Sequence, residues 1–504
     1  MSAISITPGL AQTKTERLTA LTQQINPVIN NWRYMTADVP AAQDPSFDDS
    51  NWKVGNPPLV WGLENVAWLR TKITIPDRIG GFPVEGTKVT LKVGVDDDGI
   101  IFVDGKEVQK FLWDKGTAVL TEKATPGQTF NIAIKGLSGP PPGRLLFAHL
   151  EFDGAADMAV TLQKFLGEYG YINVLQQAVE GSAKDRCTKA LAEAEKAVDL
   201  DALDKADEKR FVDSLTTARQ SLLSISDITK EQTIHLVGHA HIDMNWLWLW
   251  PETLQVCKDT FTSTVNFMQE FPDFRFSQSQ AATYLAIEET YPDLFQKIKD
   301  AVKAGKWEIT GGTWVEGDMN MASGESIVRQ ILYAKRYFME KFGVEPKICW
   351  EPDTFGHAVT IPQILAKSGL KYYYFCRAGK GKTVFWWESP DGSRVLAYND
   401  PGGYGATIND GITSRAIQME RDYHLKDSMI VYGVGDHGGG PTRADIENAN
   451  ELKERELFPI VKFSSAEEFF VAAESTKDLP VIKDELNFTF EGCYTTHADV
   501  KKWN

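Results

Sequence analysis

The feature that most constrains this chain is a regular alternation of short apolar runs and amphipathic stretches from about residue 229 to Asn504. Apolar runs at Thr233–Val237, Arg275–Ser277, Trp307–Thr310, Lys347–Trp350, Lys371–Phe375, Val395–Tyr398, Met429–Val434 and Val461–Phe463 read as strands. Helical spacing fills several of the intervals, for example Ala281 to Ala304 and Gly324 to Phe342. Alternating β and α elements predict a largely parallel sheet, open or closed into a (β/α) barrel-like domain. Chemistry in such folds sits at the carboxyl ends of the strands, which is where the polar clusters of this chain fall.

Two other regions precede that one, so the expected architecture is multidomain, β plus α/β. Residues 1–155 carry short alternating runs, Ala67 to Ile75, Lys88 to Val95, Ile100 to Val103 and Phe130 to Ile134, separated by Asp/Gly and Pro/Gly clusters. That punctuation predicts a β-sandwich of the jelly-roll kind. Its Trp52, Trp61 and Trp68 are expected in the core rather than on a sugar. Residues 156–228 are rich in Ala, Glu, Lys and Leu at helical spacing and are expected to form a helical connector. The third region, 229–504, holds the candidate chemistry.

A chain of 504 residues buries enough apolar surface to need no staples. Its net charge of −16 argues against nucleic acid and against an anionic membrane surface, leaving neutral or cationic partners such as a sugar. The five cysteines are scattered, with no C-x-x-C pair, which points to a reducing compartment. No apolar h-region follows a basic start between Met1 and Lys14, and no apolar run is long enough to span a bilayer. The cytosol is the expected location.

Five polar clusters stand out. The first is His239-Ala240-His241-Ile242-Asp243 with Trp246 close behind. If this segment is extended, His239, His241 and Asp243 share a side, and imidazole with carboxylate suits Zn²⁺ or a similar divalent ion. The second is Trp350-Glu351-Pro352-Asp353-Thr354-Phe355-Gly356-His357, whose carboxylates either act chemically or cap the next helix. The third, Gly435-Asp436-His437-Gly438-Gly439-Gly440-Pro441-Thr442, reads as a close backbone approach to a ligand or as a turn; it is no phosphate loop. In the fourth, Gly311 to Asn320, alternation would set Trp314, Glu316, Asp318 and Asn320 on one side, an aromatic beside carboxylates that suits a sugar. The fifth, Gly492 to Ala498, contributes His497 and is uninformative alone.

Taken together and in order, "HAHIDMNW", "GGTWVEGDMN", "WEPDTFGH", "GDHGGGPT" and "GCYTTHADVKKWN" resemble the family 38 glycoside hydrolases, the class II α-mannosidases, over about His235 to Asn504. The resemblance is to the bacterial, fungal-vacuolar and animal-cytosolic branch. It implies a retaining, Zn²⁺-dependent α-mannosidase acting on mannose-containing oligosaccharides. Carried over by position, the metal ligands are His241, Asp243 and Asp353. Asp353 is the nucleophile and Asp436 the general acid/base. Trp246 packs on the sugar, and His437 is a branch-specific feature expected at the substrate; Trp314 and Asp318 are substrate-contact candidates from the alternation of their own cluster, not from the resemblance. A zinc contact would lower the Asp353 pKa, and partial burial would raise that of Asp436. Family members are often multimeric, so a homo-oligomer is an open expectation. The family sequence continues beyond the point where Asn504 stands, and a further zinc ligand is expected there. Two other readings remain open at this level: a sugar-binding fragment without turnover, and a metal-dependent polysaccharide deacetylase.

Overall fold

The computed structural model describes residues 13–487, except 63–64, 97, 113–115, 139–142 and 436–437. Its contacts divide the chain into two compact units. The first comprises Met1–Gly170 with Thr188–Ser224, the second Tyr171–Cys187 with Ile225–Asn504. The segment expected as a connector is helical, with helices at Asp153–Ala178, Gly181–Ala197 and Glu208–Leu222, and it is shared between the two units.

The first unit is the expected antiparallel β-structure. One sheet has six strands, in the order Lys53–Gly55, Trp32–Met35, Val66–Thr74, Thr129–Leu137, Asp98–Val103 and Lys106–Leu112. The other has four, Gly116–Thr121, Val89–Asp96, Gly143–Phe152 and Leu59–Gly62. The two sheets meet face to face. Trp61 of the smaller sheet lies on Gly136 of the larger, where an added Cβ would come within 2.7 Å of the indole. Trp52, Trp61 and Trp68 are all buried, as expected of core aromatics. Trp68 stacks on Phe102 with centroids 5.4 Å apart.

Elements of the second unit are numbered here from its first strand. The strands are β1 (Thr233–His239), β2 (Phe276–Gln278), β3 (Trp307–Ile309), β4 (Ile348–Glu351), β5 (Tyr372–Phe375), β6 (Val384–Glu388), β7 (Arg394–Asn399), β8 (Asp427–Tyr432), β9 (Ile460–Phe463) and β10 (Val481–Ile482). One parallel sheet runs β3-β2-β1-β8, with β9 also on the edge of β1. The second runs β4-β5-β7-β6-β10 and is parallel except where β6 pairs β7 as a hairpin. Strand pairing among the described residues therefore gives two open sheets, and no closed barrel. Their apolar faces share one core: Val237, Met429 and Val431 of the first sheet pack with Ile348, Trp350, Tyr374 and Tyr398 of the second. Trp350 stacks on Tyr374 at 3.7 Å, a rigid aromatic layer directly below the end of β4.

Helix limits follow local chemistry. Gly324–Phe342 starts at Ser323, whose hydroxyl accepts the Ser326 N–H, and stops at Gly343 in the left-handed region (φ 68°). Its Ile327, Ile331, Ala334 and Phe338 form the buried stripe. The helix expected over Ala281–Ala304 is instead two, Ala281–Thr290 and Pro292–Lys303. Pro292 lacks an N–H and forces Tyr291 out of the helical region (φ −132°, ψ 63°).

Candidate functional site

The loops that leave β1, β3 and β4 converge on an open cleft of about 470 Å³. It is lined by His241, Asp243, Glu316, Asp318 and Asp353, with Ile242, Met244, Val315 and Phe355 supplying apolar surface. Gln280, beyond β2, ties two of these loops together. Its amide donates to the Ile242 carbonyl (3.0 Å) and accepts the Glu316 N–H (3.0 Å), from a left-handed backbone at φ 65°. A non-glycine residue held there stores strain that the surrounding bonds must offset.

His241 sits between two carboxylates. Nε2 is 3.2 Å from Asp243 Oδ1 and Nδ1 is 3.4 Å from Glu316 Oε2. Burial disfavours the charged imidazole, but the Glu316 charge and the Asp243 hydrogen bond outweigh it and raise the pKa to about 10. The pocket is thus a strong attractor of positive charge. Two ligands on one tetrahedral zinc, each about 2.05 Å from it, stand about 3.3 Å apart. The His241–Asp243 pair is already near that separation, so its geometry and donor types fit the ion. Among the described residues, no three His, Cys, Asp or Glu side chains form a ready-made metal group.

Asp353, two residues past β4, is held by Arg377 Nε (2.5 Å) and the Tyr404 hydroxyl (3.2 Å), both donating to Oδ1. Its own N–H donates to Glu316 Oε1 at 2.6 Å. Burial raises the Asp353 pKa, against the Arg377 bond and the His241 charge that lower it. The protein groups alone therefore push this carboxyl up, where zinc contact was expected to lower it. Beneath it lies Glu351, fully buried, accepting from the hydroxyls of Thr313 (3.0 Å) and Thr354 (3.2 Å) and from the Cys349 thiol (3.5 Å). Burial, then the Glu316 charge, raises Glu351 well above the usual carboxylate range.

Several sequence expectations change place. His239 does not share a side with His241 and Asp243: the strand ends at His239, whose ring enters the core, while His241 and Asp243 line the cleft. Its Nδ1–H donates to the Ser277 carbonyl (2.9 Å), Nε2 accepts from Trp350 Nε1 (3.2 Å), and burial lowers its pKa to about 3. His357 is likewise a core residue, hydrogen-bonded to the Tyr373 hydroxyl at 2.6 Å. The 311–320 segment is not extended: Val315, Glu316, Gly317 and Asp318 all line the cleft in succession. Trp314 leaves it, packing edge-on against Tyr337 at 5.8 Å. Asp318 reaches the cleft while accepting the N–H groups of Asn320 and Met321. Trp246 is 62% exposed on the loop before Trp250–Glu270, beside Trp248.

The glycine run is a turn. Gly438, Gly439 and Gly440 all have positive φ, and a Cβ on Gly438 would come within 2.4 Å of Val256. Asp436, His437 and His497 lie outside the described residues. Sequence reasoning gave Glu316 no individual role and missed Gln280, Arg377 and Tyr404. Arg377, two residues past β5, had the signal of a polar group at a strand's carboxyl end.

The model of the glycosyl hydrolases family 38 N-terminal domain matches residues 231–492. α-Mannosidase G of Dictyostelium discoideum is 34% identical over 309 residues, 59% of this chain and 28% of that protein. Human α-mannosidase 2C1 is 30% identical over 461 residues, 87% of this chain and 44% of that protein. A solved α-mannosidase from Enterococcus faecalis aligns with 51% of this chain and 31% of its own, at 23% identity and TM-score 0.46. The chain thus spans less than half the length of these two curated relatives. The matched residues include β1, β3 and β4 and the cleft they build, and the chain belongs to glycosyl hydrolase family 38.

Proposed function

We propose that this chain carries the catalytic centre of a retaining, zinc-dependent α-mannosidase that removes terminal α-mannosyl residues from oligosaccharides. The observation that carries the reading is the convergence of His241, Asp243 and Asp353 on one acidic cleft, at the carboxyl ends of strands that are distant in sequence. His241 and Asp243, with Asp353 on the same cleft, would hold the ion. Bound zinc would supply Lewis-acid contact to two adjacent hydroxyls of the terminal mannose.

The remaining steps belong to side chains. Asp353 attacks the anomeric carbon, and its ester to mannose conserves configuration after hydrolysis. Arg377 and Tyr404 hold its Oδ1, which leaves Oδ2 as the attacking oxygen. The proton for the leaving oxygen is assigned to Asp436. Trp246, Asp318 and His437 are the proposed sugar contacts; of these, Asp318 lines the cleft, whereas Trp314 packs on Tyr337 outside it and is set aside. Among the described residues, Cys187, Cys257, Cys349 and Cys376 are free thiols, which supports a reducing, cytosolic setting; a mass shift on reduction of the native protein would contradict it. No helix of the described residues is long and apolar enough to cross a membrane.

The test is chromophore release from an aryl α-mannoside, with and without chelator, beside the α-glucoside and β-mannoside. Chelator-sensitive cleavage of the α-mannoside alone supports the reading. Retained sugar binding with no cleavage, in folded protein supplied with zinc, would replace it with a sugar-binding role. Acetate release without glycosidic cleavage would instead indicate a deacetylase.

A further inference from the structure

We propose that Glu316 is a positioning residue that couples the metal-binding imidazole to the nucleophile; this rests on the zinc reading above. Its carboxylate is shared between the two halves of the site. Oε2 faces His241 Nδ1 at 3.4 Å, while Oε1 accepts the Asp353 N–H at 2.6 Å and lies 3.4 Å from the Thr354 hydroxyl. The side chain is 9% exposed, and Oε2 is buried without a hydrogen-bond partner inside normal limits. A buried carboxylate oxygen left short of a full bond and aimed at an imidazole is costly unless that contact tightens when the site is occupied.

The anchoring of Glu316 is unusually complete for a loop residue. Gln330 accepts the N–H of Val315 (3.1 Å) and Gln280 accepts the N–H of Glu316 (3.0 Å), so the backbone is pinned from both sides. The side chain therefore cannot swing away without breaking its bond to Asp353. Glu316 is placed to keep the proton on Nδ1 of His241, so that Nε2, which now donates to Asp243, would be the nitrogen freed to take the ion. A carboxylate behind a metal-ligating histidine orients the ring and strengthens it as a ligand. Here the same carboxylate also sets the backbone from which Asp353 projects. Metal affinity and nucleophile placement are consequently linked through one residue.

The experiment is zinc titration of the chelator-stripped full chain, wild type against Glu316→Gln and Glu316→Asp, with melting curves of the metal-free proteins alongside. Gln keeps an acceptor for the Asp353 N–H and removes the charge facing His241. Glu316→Gln is expected to bind zinc about ten- to hundredfold more weakly, the usual effect of losing such a partner. Glu316→Asp, which keeps the charge one methylene back, should recover part of the affinity and serves if the Gln variant does not fold. Wild-type affinity in a folded Glu316→Gln variant overturns the inference and leaves the zinc reading intact. A wild-type chain that takes up no zinc overturns both.

Discussion

His357 offers a sharp test of the packing behind the site. It is fully buried among Tyr373, Phe375 and Trp387, with one ring nitrogen on the Tyr373 hydroxyl. Burial lowers its pKa to about 3, partly countered by a backbone hydrogen bond of Arg377 and the Asp318 charge. The unfolded chain should titrate near pH 6.5, so between about pH 6.5 and 3 the unfolded state binds more protons. Stability from this residue is therefore complete above about pH 6.5 and is lost as pH falls. From pH 7 to pH 5 the loss works out at about 2 kcal/mol. Asn places an acceptor near the position of Nδ1 and does not titrate. Urea unfolding of wild type and His357→Asn at both pH values isolates the term, because His239 contributes equally to both proteins. The wild type should lose about 2 kcal/mol more on acidification than the variant. Equal losses would show that His357 is not held neutral by burial.

Three further outcomes follow from the same structure. Asp353→Asn should abolish α-mannoside turnover and leave the melting curve unchanged, because an amide oxygen can still accept from Arg377 and Tyr404; normal turnover refutes the nucleophile assignment. Gly433→Ala should destabilise by more than about 3 kcal/mol, or prevent folding. At Gly433 φ is +139°, and a Cβ would lie 2.1 Å from the His239 carbonyl oxygen, so an unshifted melt would contradict the packing of β1 against the turn after β8. In the first unit, Arg219 donates to the buried Glu168 at 2.7 and 3.2 Å. Arg219→Met should cost about 3–5 kcal/mol in a denaturant titration, as expected when a buried carboxylate loses its guanidinium, and a negligible change would refute that pairing.

The division between sequence and tertiary structure follows from the range of the interactions. Apolar periodicity is local, so the strands near Thr233, Ile348, Tyr372 and Asp427 were legible, as was the helix at Gly324–Phe342. The hairpin strand β6 escaped notice because strand–helix alternation leads one to expect parallel neighbours, although Pro390-Asp391-Gly392 marks its turn toward β7. His241, Asp243 and Asp353 were visible because each follows a strand end. Sequence alone could not separate His239, whose strand delivers it to the core, from His241 two residues later. Nor could it attach Arg377 and Tyr404 to Asp353, since they lie 24 and 51 residues away. The part played by Glu316 depends on three loops meeting, and no pattern within one loop records which neighbour a carboxylate will face. Pattern determined the elements and the types of reactive group in this chain; only packing decided which buried charges are paired, and pairing sets what each group can do.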